Sequence, residues 1–192
     1  MRAGENRLVV GVDSQHDAQT IPTTITDWDL YGGITRPVRL IYTPATFIDD
    51  ATLSLGANGR ITGEVQLQGL QAARQTVTVA IGKLVTATSV TDANGHAAFD
   101  IAAPKSLERW SPDSPKLYDV RFSTAADAVD DRIGFRTIAV KGSQILLNGK
   151  PIFLRGISLH EEEFGANPAR NMTPSAARAL LHEIKQENRL AV

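Results

Sequence analysis

Residues 76–81 read Thr-Val-Thr-Val-Ala-Ile. Successive side chains of an extended chain point to opposite sides. Val77, Val79 and Ile81 therefore share one face, and Thr76, Thr78 and Ala80 share the other. An apolar face backed by a more polar one implies one buried side and one wet side. The same alternation recurs outward from this segment, in Ile61, Val65 and Leu67 and in Tyr118, Val120 and Phe122. From Leu8 to Arg136 the chain is rich in Val, Ile, Thr and Leu, broken by Gly, Pro, Asn and Asp about every 8–12 residues. That rhythm predicts an all-β sandwich.

Asn-Gly pairs stand at Asn58-Gly59, Asn94-Gly95 and Asn148-Gly149, each between apolar runs. Asn-Gly tolerates the positive φ that a two-residue type I′ turn needs at both central positions. Hairpins are expected over about 51–67, 85–101 and 144–155. Ala125–Asp131 reads as an acidic loop at a hairpin tip.

After Thr173 the period changes. Thr173 fits an N-cap and Pro174 the first helical position. Ala177, Leu180, Leu181 and Ile184 then follow helical spacing, with His182, Glu183, Lys185 and Gln186 on the wet side. An apolar strand, Ile152–Ser158, precedes this helix, as at the start of a βα unit.

Hydrophobic residues make up 42% of the 192 and charged residues 21%. These proportions are ordinary for a globular chain and exclude collagen, coiled coil and wholesale disorder. No apolar run approaches the roughly 20 residues of a membrane-spanning helix, and Leu8–Val12 is too short for a signal-peptide core. Lys plus Arg number 20 against 21 for Asp plus Glu, so the net charge of −1 predicts neither a nucleic-acid nor a membrane partner. The absence of cysteine excludes disulfides and thiolate sites. Compartment stays open between bacterial periplasm and cytoplasm.

Four histidines, at 16, 96, 160 and 182, have no ligand spacing. Nucleophile-elbow, phosphate-loop, dinucleotide and zinc-protease motifs are all missing. Three clusters remain. His160-Glu161-Glu162-Glu163 follows the apolar stretch Pro151–Leu159, where a strand leading into a helix would aim functional groups; a solvated acidic loop is the plainer reading. Asp27–Gly33 puts two glycines beside aromatic residues, as in a close backbone approach or a bulge; a loop closed by a packed Trp28 is the plainer reading. Trp110–Pro115 reads as a rigid structural corner, with two prolines flanking Asp113.

Four segments together resemble glycoside hydrolase family 2, which includes β-galactosidases and β-glucuronidases. They are Asp27–Val38 (DWDLYGGITRPV), Trp110–Val120 (WSPDSPKLYDV), Ile133–Arg136 (IGFR) and Ile145–Glu163 (ILLNGKPIFLRGISLHEEE). The resemblance implies a mainly β chain. Residues 1–43 would be the end of a jelly-roll sugar-binding domain, 44–139 an immunoglobulin-like β-sandwich, and 140–192 the start of a (β/α)8 TIM barrel. Ser158 stands where the family usually has Asn, and the chain closes on Asn188–Val192 instead of a second barrel strand. It is then expected to be either cut or naturally truncated.

Family members hydrolyse β-glycosides with retention, using two glutamates on later barrel strands. An Asn-Glu pair for the acid/base occurs nowhere in this sequence, so both catalytic glutamates are expected to be missing and the chain to be inactive alone. By resemblance, Asp27 and His160 would face the sugar in an intact enzyme. A carboxylate accepts hydrogen bonds from hydroxyls and suits a hard cation; a neutral imidazole both donates and accepts. Asp27 is thus also a candidate ligand for an alkali cation. No organic cofactor is expected, with Na or Mg as the ions an intact enzyme would take.

Two functions remain: a non-catalytic part of a β-galactosidase- or β-glucuronidase-like hydrolase whose sandwich braces the barrel, or a free-standing β-sandwich module binding carbohydrate or protein. The 6% aromatic content offers no stacking platform for sugar rings. Unpaired edges and apolar residues in 1–43 and 140–192 are expected to pack onto the sandwich or each other, or to drive self-association.

Overall fold

The structure is a computed structural model and describes residues 4–20, 32–34, 36–159 and 172–190. Seven strands occupy the middle of the chain: β1 (Thr46–Leu55), β2 (Arg60–Gly69), β3 (Thr76–Ile81), β4 (Val85–Val90), β5 (His96–Ala102), β6 (Tyr118–Ser123) and β7 (Ala128–Ile133). They form two antiparallel sheets, ordered β1-β2-β5 and β4-β3-β6-β7. The fold is the expected β-sandwich.

The alternation read from the sequence sets its core. Val77, Val79 and Ile81 of β3 and Val120 and Phe122 of β6 meet Ile61, Val65 and Leu67 of β2 and Ala97 and Phe99 of β5, all buried. Two sheets bury their apolar faces by interdigitating these rows. Each fully buried Val, Leu, Ile or Phe side chain contributes roughly 1.5–3 kcal/mol. The outer face of β7 stays wet; it carries Asp130 and Arg132, opposite Arg121 and Asp119 of β6.

The β1–β2 hairpin forms as expected, but its turn is not type I′. Only Gly59 has positive φ, at 74°, and Gly59 N–H donates to Gly56 O at 3.0 Å while Gly56 N–H donates to Arg60 O at 2.8 Å. This is a turn closed by a left-handed glycine, the three-residue hairpin loop. The tip between β6 and β7 is 124–127, shorter than the expected acidic loop, because Ala128–Asp131 pairs within the ladder. Asp127 at this tip accepts the Ile48 N–H at 2.9 Å, tying β7's sheet to β1 of the other. That bond falls where the β1–β2 register shifts, between Ile48 and Asp50.

The expected hairpin over 85–101 does not form. A turn forms at Asn94-Gly95, but it is not type I′ either: of the pair only Gly95 has positive φ, at 81°, and Asp92 N–H donates to His96 O at 2.9 Å. Its two arms nevertheless join different sheets: β4 pairs with β3 and β5 with β2. The chain changes sheets at Thr91, a buried polar residue. Its hydroxyl donates to Ala72 O at 2.7 Å and accepts from Gln75 N–H at 2.8 Å, fixing the bend. Asp92 caps the turn, accepting from the backbone N–H of Asn94 and His96. The His96 and Asn94 backbone bonds, in that order, hold its carboxyl below the usual aspartate range.

Beyond the sandwich lies a small meander, β8 (Ile138–Lys141), β9 (Gln144–Leu147) and β10 (Lys150–Pro151), ordered β10-β9-β8. Here the sequence reading of the turn is met in full: Asn148 and Gly149 both have positive φ, 52° and 80°. The expected strand over Ile152–Ser158 is absent. A strand exists only through a hydrogen-bonded neighbour. Ile152 N–H donates to Ile145 O at 2.9 Å, and the residues from 153 to 158 join no ladder. Phe153, Leu154 and Ile157 are exposed. So are Leu8–Val10 and Leu40–Tyr42, which form no strand.

Helix α1 (Pro174–Leu190) begins where expected. Ala176 N–H donates to Thr173 Oγ1 at 3.2 Å, an N-cap. Leu180 and Ile184 are half-buried, but Leu181 is exposed, so the apolar stripe is narrower than the spacing suggested. No helix among the described residues is long and apolar enough to cross a membrane.

Candidate functional site

Asp27 and His160 lie outside the described residues, as do Glu161, Glu162 and Glu163. Of the Asp27–Gly33 cluster, Gly32 and Gly33 are described. A Cβ on Gly32 would stand 2.8 Å from Ser14 Cβ, so its near neighbour among the described residues is a side chain and not the backbone expected. No group of three or more His, Cys, Asp or Glu among the described residues could hold a metal.

The described polar residues that converge most are at the junction of sandwich and meander. The Trp110–Pro115 corner is locked by reciprocal backbone bonds between Ser111 and Ser114, 3.0 and 3.1 Å. Trp110 N–H donates to Phe135 O at 2.9 Å, and Phe135 is buried in the core. The Trp110 indole packs on Gly134, where a Cβ would come within 2.8 Å of the ring. The Arg136 guanidinium lies over the same ring, 5.4 Å from its centroid, near enough for a cation–π contact. Tyr118 OH accepts the Glu108 N–H at 2.9 Å and closes the other side of the corner. The structural reading of this cluster is thus the one observed.

Asn148 joins corner and meander. Its Nδ2 donates to Trp110 O at 2.9 Å, its Oδ1 accepts Thr137 N–H at 3.1 Å, and its own N–H donates to Thr137 O at 2.8 Å. One asparagine therefore holds the turn, the corner and the link after β7. Sequence reasoning identified Asn148 only as a turn former. Its second role depends on Trp110, 38 positions away, and no local signal carries it. The sequence marks Asp127 likewise only as loop charge.

Two clefts flank the corner. One, about 240 Å³, is lined by Trp110, Ile138, Ile145, Ile152 and Leu154, with Arg136 at its rim. It lacks the convergent polar groups that sort sugar hydroxyls. The other, about 590 Å³ and open, has Arg109, Asp113, Asn148, Lys150 and Phe153 on its walls. Its Asn148 amide is already committed to Trp110 and Thr137. The apolar lining of the smaller cleft suits contact with another folded surface better than capture of a small polar molecule.

Comparison with known proteins places the middle of the chain. A profile for glycosyl hydrolases family 2 matches residues 45–136. A β-galactosidase of Arthrobacter sp. (strain B7) is 30% identical over 190 residues, covering 98% of this chain and 18% of that protein. A putative β-glucuronidase of Formosa agariphila is 27% identical over 191 residues, covering 88% of this chain and 22% of that protein. The chain thus spans about a fifth of the length of these two relatives. Among solved structures, a family 2 β-galacturonidase from Eisenbergiella tayi bound to galacturonate aligns with a TM-score of 0.72 at 28% identity, over 91% of this chain and 33% of that one. A β-glucuronidase from Faecalibacterium prausnitzii aligns with a TM-score of 0.56 at 27% identity, over 73% of this chain and 22% of that one.

Proposed function

Given that the chain belongs to glycosyl hydrolase family 2, we propose that its sandwich is a non-catalytic support which braces the barrel of a β-galactosidase- or β-glucuronidase-like enzyme. The observation that carries this reading is the Asn148 junction. It fixes the meander to the sandwich core through Trp110 and Thr137, and directly beyond it the chain presents the exposed apolar residues Phe153, Leu154 and Ile157. A rigid frame leading into an unpaired apolar segment fits a base on which further structure is built. A self-sufficient binding module has no use for such a segment. The substrate class is β-galactosides or β-uronides, and Asp27 and His160 are the residues of this chain assigned to face the sugar.

In this reading residues 1–192 carry no acid/base and nucleophile pair, so they do not cleave glycosides by themselves. The test is to assay the chain on nitrophenyl β-galactoside, β-glucuronide and β-galacturonide and to titrate it calorimetrically with the free sugars. Neither turnover above a buffer blank nor saturable heat is expected. Saturable sugar binding would favour the free-standing module instead. Turnover abolished by a mechanism-based inhibitor would overturn the proposal.

A further inference from the structure

The three Asn-Gly pairs are chemically alike in sequence and unlike in structure. Asparagine before glycine can lose its amide: the following backbone nitrogen, as its conjugate base, attacks the side-chain Cγ, and ammonia leaves with the former Nδ2. The resulting succinimide takes up water, and opening at either carbonyl gives aspartate or isoaspartate. The reaction is redox-neutral, and water is its only co-reactant. It requires that Cγ swing onto the next nitrogen, which glycine permits because no Cβ blocks the approach.

At Asn148 that swing is prevented. Both ends of the amide are engaged, Nδ2 on Trp110 O and Oδ1 on Thr137 N–H, in a partly buried setting. At Asn58 one end is held, with Oδ1 accepting Arg60 N–H at 3.1 Å in an exposed turn. At Asn94 the backbone is anchored, its N–H on Asp92 and its O accepting from Gln66 Nε2 at 2.9 Å, but the exposed side-chain amide makes no hydrogen bond among the described residues. The attacking nitrogen also differs. Its hydrogen bond does not separate Asn94 from Asn58, since Gly95 N–H is held by Asp92 O at 3.2 Å and Gly59 N–H by Gly56 O at 3.0 Å, but Gly149 N–H has no such backbone acceptor among the described residues.

We infer that Asn94 is a site of spontaneous deamidation in the folded protein, that Asn58 follows it, and that the Asn148 junction protects its own asparagine. The consequence at Asn94 is local and directional. Deamidation places a new carboxylate two residues from Asp92, whose own carboxylate caps the same turn. Isoaspartate also lengthens the backbone by one atom where the chain passes from β4's sheet to β5's. Ageing therefore begins at the sheet-to-sheet crossing and spares the junction with the meander.

The test uses the full chain, incubated at mildly alkaline pH both folded and in denaturant, with each Asn-Gly peptide followed by mass spectrometry and isoaspartate-specific cleavage. The unfolded chain supplies each site's intrinsic rate and removes the effect of the preceding residue. Folding should slow Asn148 by about tenfold or more, because two hydrogen bonds must break first. Asn94 should stay within about threefold of its unfolded rate, with Asn58 between the two. Equal protection of Asn94 and Asn148, or conversion of Asn148 at its unfolded rate, would overturn the inference.

Discussion

Replacing Asn148 separates the contributions that hold the junction. Alanine removes the acceptor of Thr137 N–H and the donor to Trp110 O, both in partly buried surroundings. Each bond contributes about 0.5–1.5 kcal/mol. Alanine must also adopt the φ of 52° seen at this position, at a further cost of about 1 kcal/mol. Asn148→Ala should therefore destabilise the junction by about 2–4 kcal/mol. Asn148→Gly loses the same two bonds without the left-handed penalty and should cost about 1–3 kcal/mol. Asn148→Asp keeps the acceptor for Thr137 but turns a carboxylate oxygen towards the Trp110 carbonyl, and should fall near the alanine variant. The readout is native-state amide exchange at Trp110, Thr137 and Ile152, with urea unfolding alongside. Exchange at Thr137 and Ile152 should accelerate while Val79 and Phe122, in the core, change little. Variants all within about 0.5 kcal/mol of the parent, which is the scatter of ordinary surface substitutions, would refute the argument that Asn148 pins the meander.

Two further outcomes are expected. A Cβ on Gly63 would stand 2.0 Å from Thr52 O and 2.7 Å from Leu53 Cδ2. Since the nearer atom is backbone, Gly63→Ala should lower stability by about 1–3 kcal/mol or more in urea unfolding, and an unchanged midpoint would contradict the packing described for β1 and β2. Asp92 has a carboxyl held below its ordinary value of 3.8 by the backbone bonds from His96 and Asn94. A depressed acid stabilises the fold above its unfolded pKa and loses that contribution as pH falls through the folded one. The turn should accordingly loosen only below about pH 3.8, with the His96 and Asn94 amide resonances titrating together. Asp92→Asn should abolish that titration, and a midpoint at or above the ordinary value would count against the cap.

What the sequence discloses here is what neighbours in the chain decide. The rows Val77-Val79-Ile81 and Val120-Phe122 have a period of two whatever they pair with, so the core face could be read directly. The turn at Asn148-Gly149 and the cap at Thr173 are likewise set within a few residues. Pairing choice is different. Asn94-Gly95 sends the same local signal as a hairpin turn, yet its arms part because Thr91 is anchored to Ala72 and Gln75, residues of the loop between β2 and β3. Residues 152–158 have strand-like composition, but a ladder needs a partner that no local pattern supplies. The candidate sugar-facing residues rest on resemblance alone, since Asp27 and His160 lie outside the described residues. Asn148 and Asp127 act through partners 38 and 79 positions distant, beyond any motif's span.

Between the end of β7 at Ile133 and the start of β8 at Ile138 lie Gly134, Phe135, Arg136 and Thr137, and each is engaged. Gly134 abuts the Trp110 ring, Phe135 is buried in the core, Arg136 caps the indole, and Thr137 bonds Asn148 through both its N–H and its O. The link has no slack, so it behaves as a weld and not as a hinge. Whatever the meander leads into inherits its angle from the sandwich, and torque on one is felt in the hydrophobic interior of the other. The phase of this short run is equally fixed: one residue more would turn Phe135 away from the interior or Thr137 away from its asparagine, because alternate side chains along an extended segment face opposite ways.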